Sequence, residues 1–277
     1  MAKLSSNRYG KSKVRVMKVT RADGVHAIKD WTVQILATGD FDTCYTDGDN
    51  SQILATDTMK NTVYSRARAS TAESMEEFAT ELIEFTLARN PQISGLEVEV
   101  LEKRWERTGD DMTTFKLSGP ETFTTRVEQI RGASISIQSG VKGLVIMKTA
   151  DSGFVGYIKD SLTTLPETED RLFCTEADIN WTYVVSGVAY NDVREKLVRV
   201  LLKSFANHNS LSVQQTLYAM GEAALDSEPA ISEIEMTMPN RHCLLVNLKP
   251  FGQDNPNEIF VPTDEPHGTI QAKVIRS

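Results

Sequence analysis

The residues whose types and settings suit chemistry are Lys11, the run Thr56-Asp57-Thr58, Phe154, Arg171, Gln214 and the pair Asn240 and His242. Thr, Asp and Thr are helix N-cap types, and Met59, Val63 and Tyr64 continue from them at helical spacing. A helix starting there aims unpaired backbone N–H groups and a partial positive charge forward, an arrangement suited to an anion or a carbonyl-rich ring. A plain capped helix gives the same pattern. Lys11 follows a glycine at the start of a strand; solvated it does nothing, but buried its amine loses pKa and can act as a base. Phe154 lies in Ser152-Gly153-Phe154-Val155-Gly156-Tyr157, between glycines that let backbone approach a ligand, though an aromatic also serves as core. The Arg171 guanidinium is a rigid donor fork for a carbonyl and an adjacent ring nitrogen, with Asp170 next to it as a rival ion-pair partner. Gln214 carries both a donor and an acceptor. Asn240 and His242 flank Arg241, so on a strand they share a face. Beside a lysine and a threonine, His242 becomes a candidate for proton relay.

The elements that must position these groups are legible in outline. Val14 to Val19 has β-branched residues at period two, and Trp31, Val33, Ile35 and Ala37 alternate after the turn at Arg21 to Gly24, so the two form a hairpin. Ser70-Thr71-Ala72-Glu73 has the form of a capping box ahead of Met75, Phe78, Ala79, Leu82 and Phe85, a helix ending near Arg89. Leu96, Val98 and Val100 predict a strand, and Met112 to Leu117 another. Ala133, Ile135 and Ile137 predict a strand that turns at Ser139 to Gly143 and returns through Leu144 to Met147. After a loop-rich stretch from Thr149 to Arg171 come a strand around Trp181 and Tyr183, a helix from Asn191, a second helix capped by Ser210 or Ser212, and strands around Ile234 and after Cys243. The element order of the first half repeats in the second without evident sequence identity. Two modules of antiparallel sheet and paired helices make the class α+β, with domains 1–130 and 131–277. Lys249 to His267 reads as an ordered arm, because exposing Ile259-Phe260-Val261 is costly.

Composition limits the function. The formal net charge of −8 argues against non-specific nucleic-acid binding, which rests on clustered Lys and Arg. No apolar run approaches the length of a membrane span, and the first residues lack an apolar signal core. The three cysteines are widely spaced, and the four histidines show no ligand spacing, so neither a disulfide framework nor a metal site is expected. With no Ser-Lys-Leu ending, the expected location is the cytoplasm.

Taken together, the motifs resemble urate oxidase (uricase) across nearly the whole chain, and the bacterial members most. They are Tyr9-Gly10-Lys11 with Val14-Arg15-Val16; Ala55-Thr56-Asp57-Thr58 with Lys60-Asn61-Thr62-Val63-Tyr64; Phe154 with Gly156 and Asp160; and Thr163-Thr164-Leu165 with Glu167-Thr168 and Asp170-Arg171. Ser212-Val213-Gln214-Gln215-Thr216, Pro239-Asn240 with His242, and Pro250 to Glu258 complete the pattern. Lys159 and Leu162 depart from it, standing where the family often has Arg and Tyr.

The resemblance implies two tandem tunnelling-fold domains, a homotetramer with active sites at subunit interfaces, and no metal or organic cofactor. It implies oxidation of urate by dioxygen and water to 5-hydroxyisourate and hydrogen peroxide. Arg171 and Gln214 would clamp the purine edges, Phe154 would stack on its face, and Leu165, Val213 and Ile270 would line the pocket. Thr56 and Asp57 would present N–H groups from a neighbouring subunit. Lys11, Thr56 and His242 would form a proton relay, and Asn240 would hold dioxygen or water above the ring. Two other readings are a zinc-dependent pterin- or GTP-handling enzyme of the same fold, whose Cys and His ligands are not grouped here, and a non-catalytic purine-binding tetramer, which would not need Lys11, Thr56 and His242 together.

Overall fold

A computed structural model describes residues 2–277, which divide into two compact units: residues 2–140 with Thr182–Val193, and Val141–Trp181 with Arg194–Ser277. The class is α+β.

In the first unit β1 (Tyr9–Ala22) and β2 (Val25–Gly39) form the hairpin, followed by a short helix α1 (Asp42–Thr46). Then come α2 (Thr56–Ala69), α3 (Met75–Arg89), β3 (Ile93–Lys103), a small ribbon of β4 (Trp105–Arg107) and β5 (Phe115–Leu117), and β6 (Thr122–Ile130). The strands β1, β2, β3 and β6 lie side by side in that order, all antiparallel. The alternation predicted for β2 holds, with Trp31, Val33, Ile35 and Ala37 buried, and Trp31 meets Phe78 of α3 at 4.9 Å between ring centroids. Gly10 is required by the close approach of β1 and β2, since a Cβ there would meet the Ile35 carbonyl oxygen at 1.8 Å.

In the second unit the strands run β7 (Ser136–Lys148, begun in the first unit), β8 (Phe173–Tyr183), β9 (Ile231–Arg241) and β12 (Gly268–Ile275). The helices are α4 (Tyr190–Asn207) and α5 (Val213–Ser227). A second ribbon pairs β10 (Cys243–Leu245) with β11 (Phe260–Pro262). Helix α5 buries Val213, Thr216, Leu217, Met220 and Ala224 toward β9 and β12. No helix among the described residues is long and apolar enough to cross a membrane.

The structure changes several sequence expectations. The capping box of α3 is Ser74 with Glu77, whose side chains and backbone N–H groups bond reciprocally at 3.1 and 3.0 Å. Ser70 is already committed: its N–H closes α2 on the Arg66 carbonyl, and its hydroxyl accepts from Ala72 N–H. The hairpin expected around Ser139 to Gly143 is instead one continuous strand, β7. The buried Ser139 hydroxyl is satisfied there by Glu76 and Thr125, so a polar run that reads as a turn is accommodated inside the sheet. Strand β12 follows the stretch read as an arm, where no strand is expected, and the arm leaves Ile259 and Val261 about half exposed while Phe260 is half-buried.

The repeated element order extends to atoms. Ser74 caps α3 and Ser212 caps α5 at equivalent positions. Beyond α3, Arg131 Nη2 donates to the carbonyls of Leu87, Asn90 and Ile93 at 2.9, 2.9 and 2.8 Å. Beyond α5, Arg276 Nη2 donates to those of Leu225, Glu228 and Ile231 at 2.6, 2.9 and 3.2 Å. Each guanidinium supplies the positive charge and donors that a helix C-terminus lacks.

Candidate active site

Helix α2 begins one residue earlier than a Thr56 cap requires. Ala55 occupies the N-cap with no side-chain bond, Thr56 is the first helical residue, and the Met59 N–H is the first paired within the helix, on the Ala55 carbonyl at 3.1 Å. The N–H groups of Thr56, Asp57 and Thr58 donate to no acceptor among the described residues. The expected forward-facing donors are therefore present, without the expected cap. The Asp57 carboxylate is held by Lys60 and by Asn61 Nδ2, at 3.0 Å from the latter, and the Lys60 hydrogen bond lowers its pKa. Lys11 adds to that lowering from β1, against which α2 packs, so the strand-borne ammonium and the start of α2 share one electrostatic neighbourhood.

In the second unit the structure brings Phe154 and Arg171 together. The Phe154 N–H and carbonyl pair with Thr168, at 2.7 and 3.2 Å, folding the loop-rich stretch back on itself. Arg171 then lies over the Phe154 ring, its guanidinium carbon 5.3 Å from the centroid. The guanidinium is half-buried, and burial alone lowers its pKa. Its Nε is buried and unpaired, and no ion pair forms with Asp170, so the rival surface pairing is absent among the described residues. Phe154 also stacks on Tyr157 at 4.8 Å and 11°, with the Tyr157 hydroxyl donating to the Leu165 carbonyl at 2.5 Å. Leu165 itself is exposed. Lys159, one of the departures from the family pattern, sits over Tyr157 and pairs with Glu167 at 3.2 Å.

Gln214 is exposed at the first turn of α5, behind the Ser212 cap, while Val213 is buried beside it. This turn is tied to the Phe154 loop through Ser210. The Ser210 N–H donates to the Asp151 carbonyl (2.9 Å), its carbonyl accepts from Gly153 N–H (2.8 Å), and its buried hydroxyl accepts from Thr216 Oγ1 (2.7 Å). The aromatic–guanidinium pair and the Val213–Gln214 turn are thus one construction.

Asn240 and Ile270 belong to the β9–β12 ladder, where Gly268 pairs with Asn240 and Ile270 with Met238. The shared strand face expected for Asn240 and His242 is not formed, because β9 ends at Arg241 and His242 lies in the link to β10. Arg241 is drawn to Asp264 and Glu176, and the His242 carbonyl is taken by Thr263 N–H at 2.8 Å. The side chains of Lys11, Thr56, Gln214, Asn240 and His242 have no protein hydrogen-bond partner among the described residues. Nor do any three His, Cys, Asp or Glu side chains there gather as metal ligands.

Sequence reasoning did not find three supporting residues. Tyr9 entered only as a motif letter, Tyr157 only as the end of the glycine-flanked run, and Ser210 only as an alternative helix cap. The signal for Ser210 was the Ser-x-Ser spacing before α5, of which the structure uses Ser212 as the cap.

A uricase family model matches residues 7–131 and 137–271. The chain is similar to a uricase of Arthrobacter globiformis, 40% identical and covering 99% of this chain and 90% of that protein. A uricase of Dictyostelium discoideum is 35% identical, covering 100% of this chain and 99% of that one. The crystal structure of the Arthrobacter globiformis uricase superposes with a TM-score of 0.96 at 39% identity, covering 100% of this chain and 96% of that one. The superposition extends the likeness from motifs to the backbone of the whole chain. The chain belongs to the uricase family.

Proposed function

We propose that the protein oxidises urate with dioxygen and water, giving 5-hydroxyisourate and hydrogen peroxide, without a metal or organic cofactor. Family membership supports the activity. The observation that carries the site is Arg171, a half-buried guanidinium stacked on Phe154 with an unpaired Nε and no carboxylate partner. Such a group awaits an anion, because an unpaired buried charge is costly.

In this reading Arg171 and Gln214 grip the two edges of the urate anion and Phe154 stacks on its face, backed by Tyr157. Leu165, Val213 and Ile270 line the pocket. The N–H groups of Thr56 and Asp57 meet the ring from a neighbouring subunit of a homotetramer, so the site is complete only in the assembly. Lys11, Thr56 and His242 remove and return protons, and Asn240 holds dioxygen and then water above the ring. The deprotonated purine supplies two electrons to dioxygen, which leaves as hydrogen peroxide after taking up protons, and a water adds as hydroxyl to the oxidised ring. The protein's own work is to bind the anion, move protons and keep bulk water out. Two tandem tunnelling-fold domains, 1–130 and 131–277, provide the frame, and the cytoplasm is the proposed location.

The deciding experiment is purified protein with urate in air, following loss of the urate absorbance and release of peroxide, with and without a strong chelator. Turnover unaffected by the chelator is expected. Turnover abolished by chelation and restored by zinc would favour the metal-dependent alternative.

A further inference from the structure

Tyr9 and Leu54 make a contact to which the reaction as described assigns no part. The Tyr9 phenol oxygen accepts from the Leu54 N–H at 2.7 Å and donates to the Leu54 carbonyl at 3.1 Å. One hydroxyl therefore closes both backbone groups of a residue two positions before Thr56. The ring is fixed from the side by the fully buried Phe41, edge-on at 4.9 Å and 83°. On β1, Tyr9 pairs with Ala37 and Lys11 with Ile35, in regular register up to a bulge just beyond Lys11. Tyr9 and Lys11 consequently project from the same face of the strand.

From Asn50, itself bonded to Cys44, the chain reaches α2 through few further polar ties. Ile53 N–H bonds back to the Asn50 carbonyl, and Ala55 caps α2 with no side-chain bond. Packing of Met59 and Val63 fixes the body of α2 near β1, and the Tyr9–Leu54 pair is the polar tie that fixes its first turn, where Thr56 stands, against the strand that carries Lys11. We propose that Tyr9 is a positioning residue, whose phenol sets the start of α2 against β1 so that the Thr56 hydroxyl and the Lys11 amine can exchange a proton through a bridging water. This rests on the reading of Lys11 and Thr56 as a relay. Donating and accepting at once requires a neutral phenol. Burial pushes the Tyr9 phenol up against the opposing Leu54 bond, with smaller additions from Cys44 and Tyr45, and keeps it protonated.

The test uses the full chain in its assembled state. Tyr9→Phe keeps the ring against Phe41 and removes only the hydroxyl. Its kcat is expected to fall roughly tenfold or more, since small misplacements of a relay are expensive. In a Lys11→Met background the same change is expected to cost less than about twofold, because the relay it positions is already absent. A purely structural role would lower the unfolding midpoint while leaving kcat of the assembled enzyme unchanged. An equal loss in both backgrounds, or kcat within about twofold of the parent in the single variant, would overturn the proposal. A difluorotyrosine at position 9 serves if Tyr9→Phe fails to assemble. It keeps the shape and both bonds while protonated, then loses the donor on ionising, and should add an alkaline fall in kcat that the parent lacks. Absence of that limb also overturns the proposal. Full turnover in Lys11→Met and Thr56→Ala would sink the relay itself, an outcome distinct from failure of Tyr9→Phe alone.

Discussion

Arg171 lies over the Phe154 ring, its guanidinium carbon 5.3 Å from the centroid, and backbone pairing of Phe154 with Thr168 folds the loop-rich stretch that brings them together. The cation thereby rests on an aromatic ring rather than on a carboxylate, which orients its fork without neutralising it.

Arg171→Lys keeps the charge and loses the planar fork. Losing a charged hydrogen-bond donor costs about 1.5 to 3 kcal/mol, or roughly 10- to 150-fold in affinity. Calorimetry with an inert urate analogue measures it, and an unchanged affinity would remove Arg171 from the clamp.

Lys11→Met and Thr56→Ala should each lower turnover by about 10² to 10⁴-fold, the usual range for general acid–base groups. Analogue binding should fall much less. The double variant should be little worse than the poorer single one, since groups acting as a unit are not additive. Losses that multiply would show that the two residues act separately.

Thr56 and Asp57 present free N–H groups at the start of α2. If these complete the site of a second protomer, dilution should dissociate the oligomer and abolish activity over the same concentration range. Sedimentation alongside initial rates tests this, and a fully active monomer would refute it.

His208, two residues before Ser210, has a buried Nε2 without a partner, and its carbonyl accepts from the Lys148 ammonium. Burial first, and the Lys148 charge second, depress its pKa below the ordinary 6.5. Below that ordinary value the unfolded chain binds the proton more readily than the folded one. The contribution is therefore fully present above about pH 6.5 and lost as pH falls toward the depressed folded value. Denaturant midpoints at about pH 7.5 and 5.5 should drop more for the parent than for His208→Asn. Equal drops would mean that His208 binds its proton equally well in the folded and unfolded chain.

The local elements were readable because each is dictated by neighbours in the chain. The alternation through Trp31 to Ala37 and the helical spacing from Met75 to Phe85 state which face must be buried, and both are buried so apart from the half-buried Phe85, whose ring Arg66 and Arg89 cover. The turn expected at Ser139 failed for the complementary reason: a serine reads as exposed until a distant Glu76 and Thr125 satisfy its hydroxyl inside the sheet. Arg171 could be singled out from its type, but its choice between Asp170 and Phe154 could not, since that depends on how Thr168 folds back. Ser210 showed the same limit, reading as a cap until tertiary contact made it the joint between the Phe154 loop and α5. The sequence by itself determined the α+β class, the family and the identity of the polar groups, because periodicity and motif are properties of order along the chain. Only the tertiary structure decided that Tyr9 closes on Leu54, that the Arg171 Nε is left unpaired, and that Arg131 and Arg276 end their helices alike. Those relationships join residues far apart in the chain through bonds that no local pattern encodes.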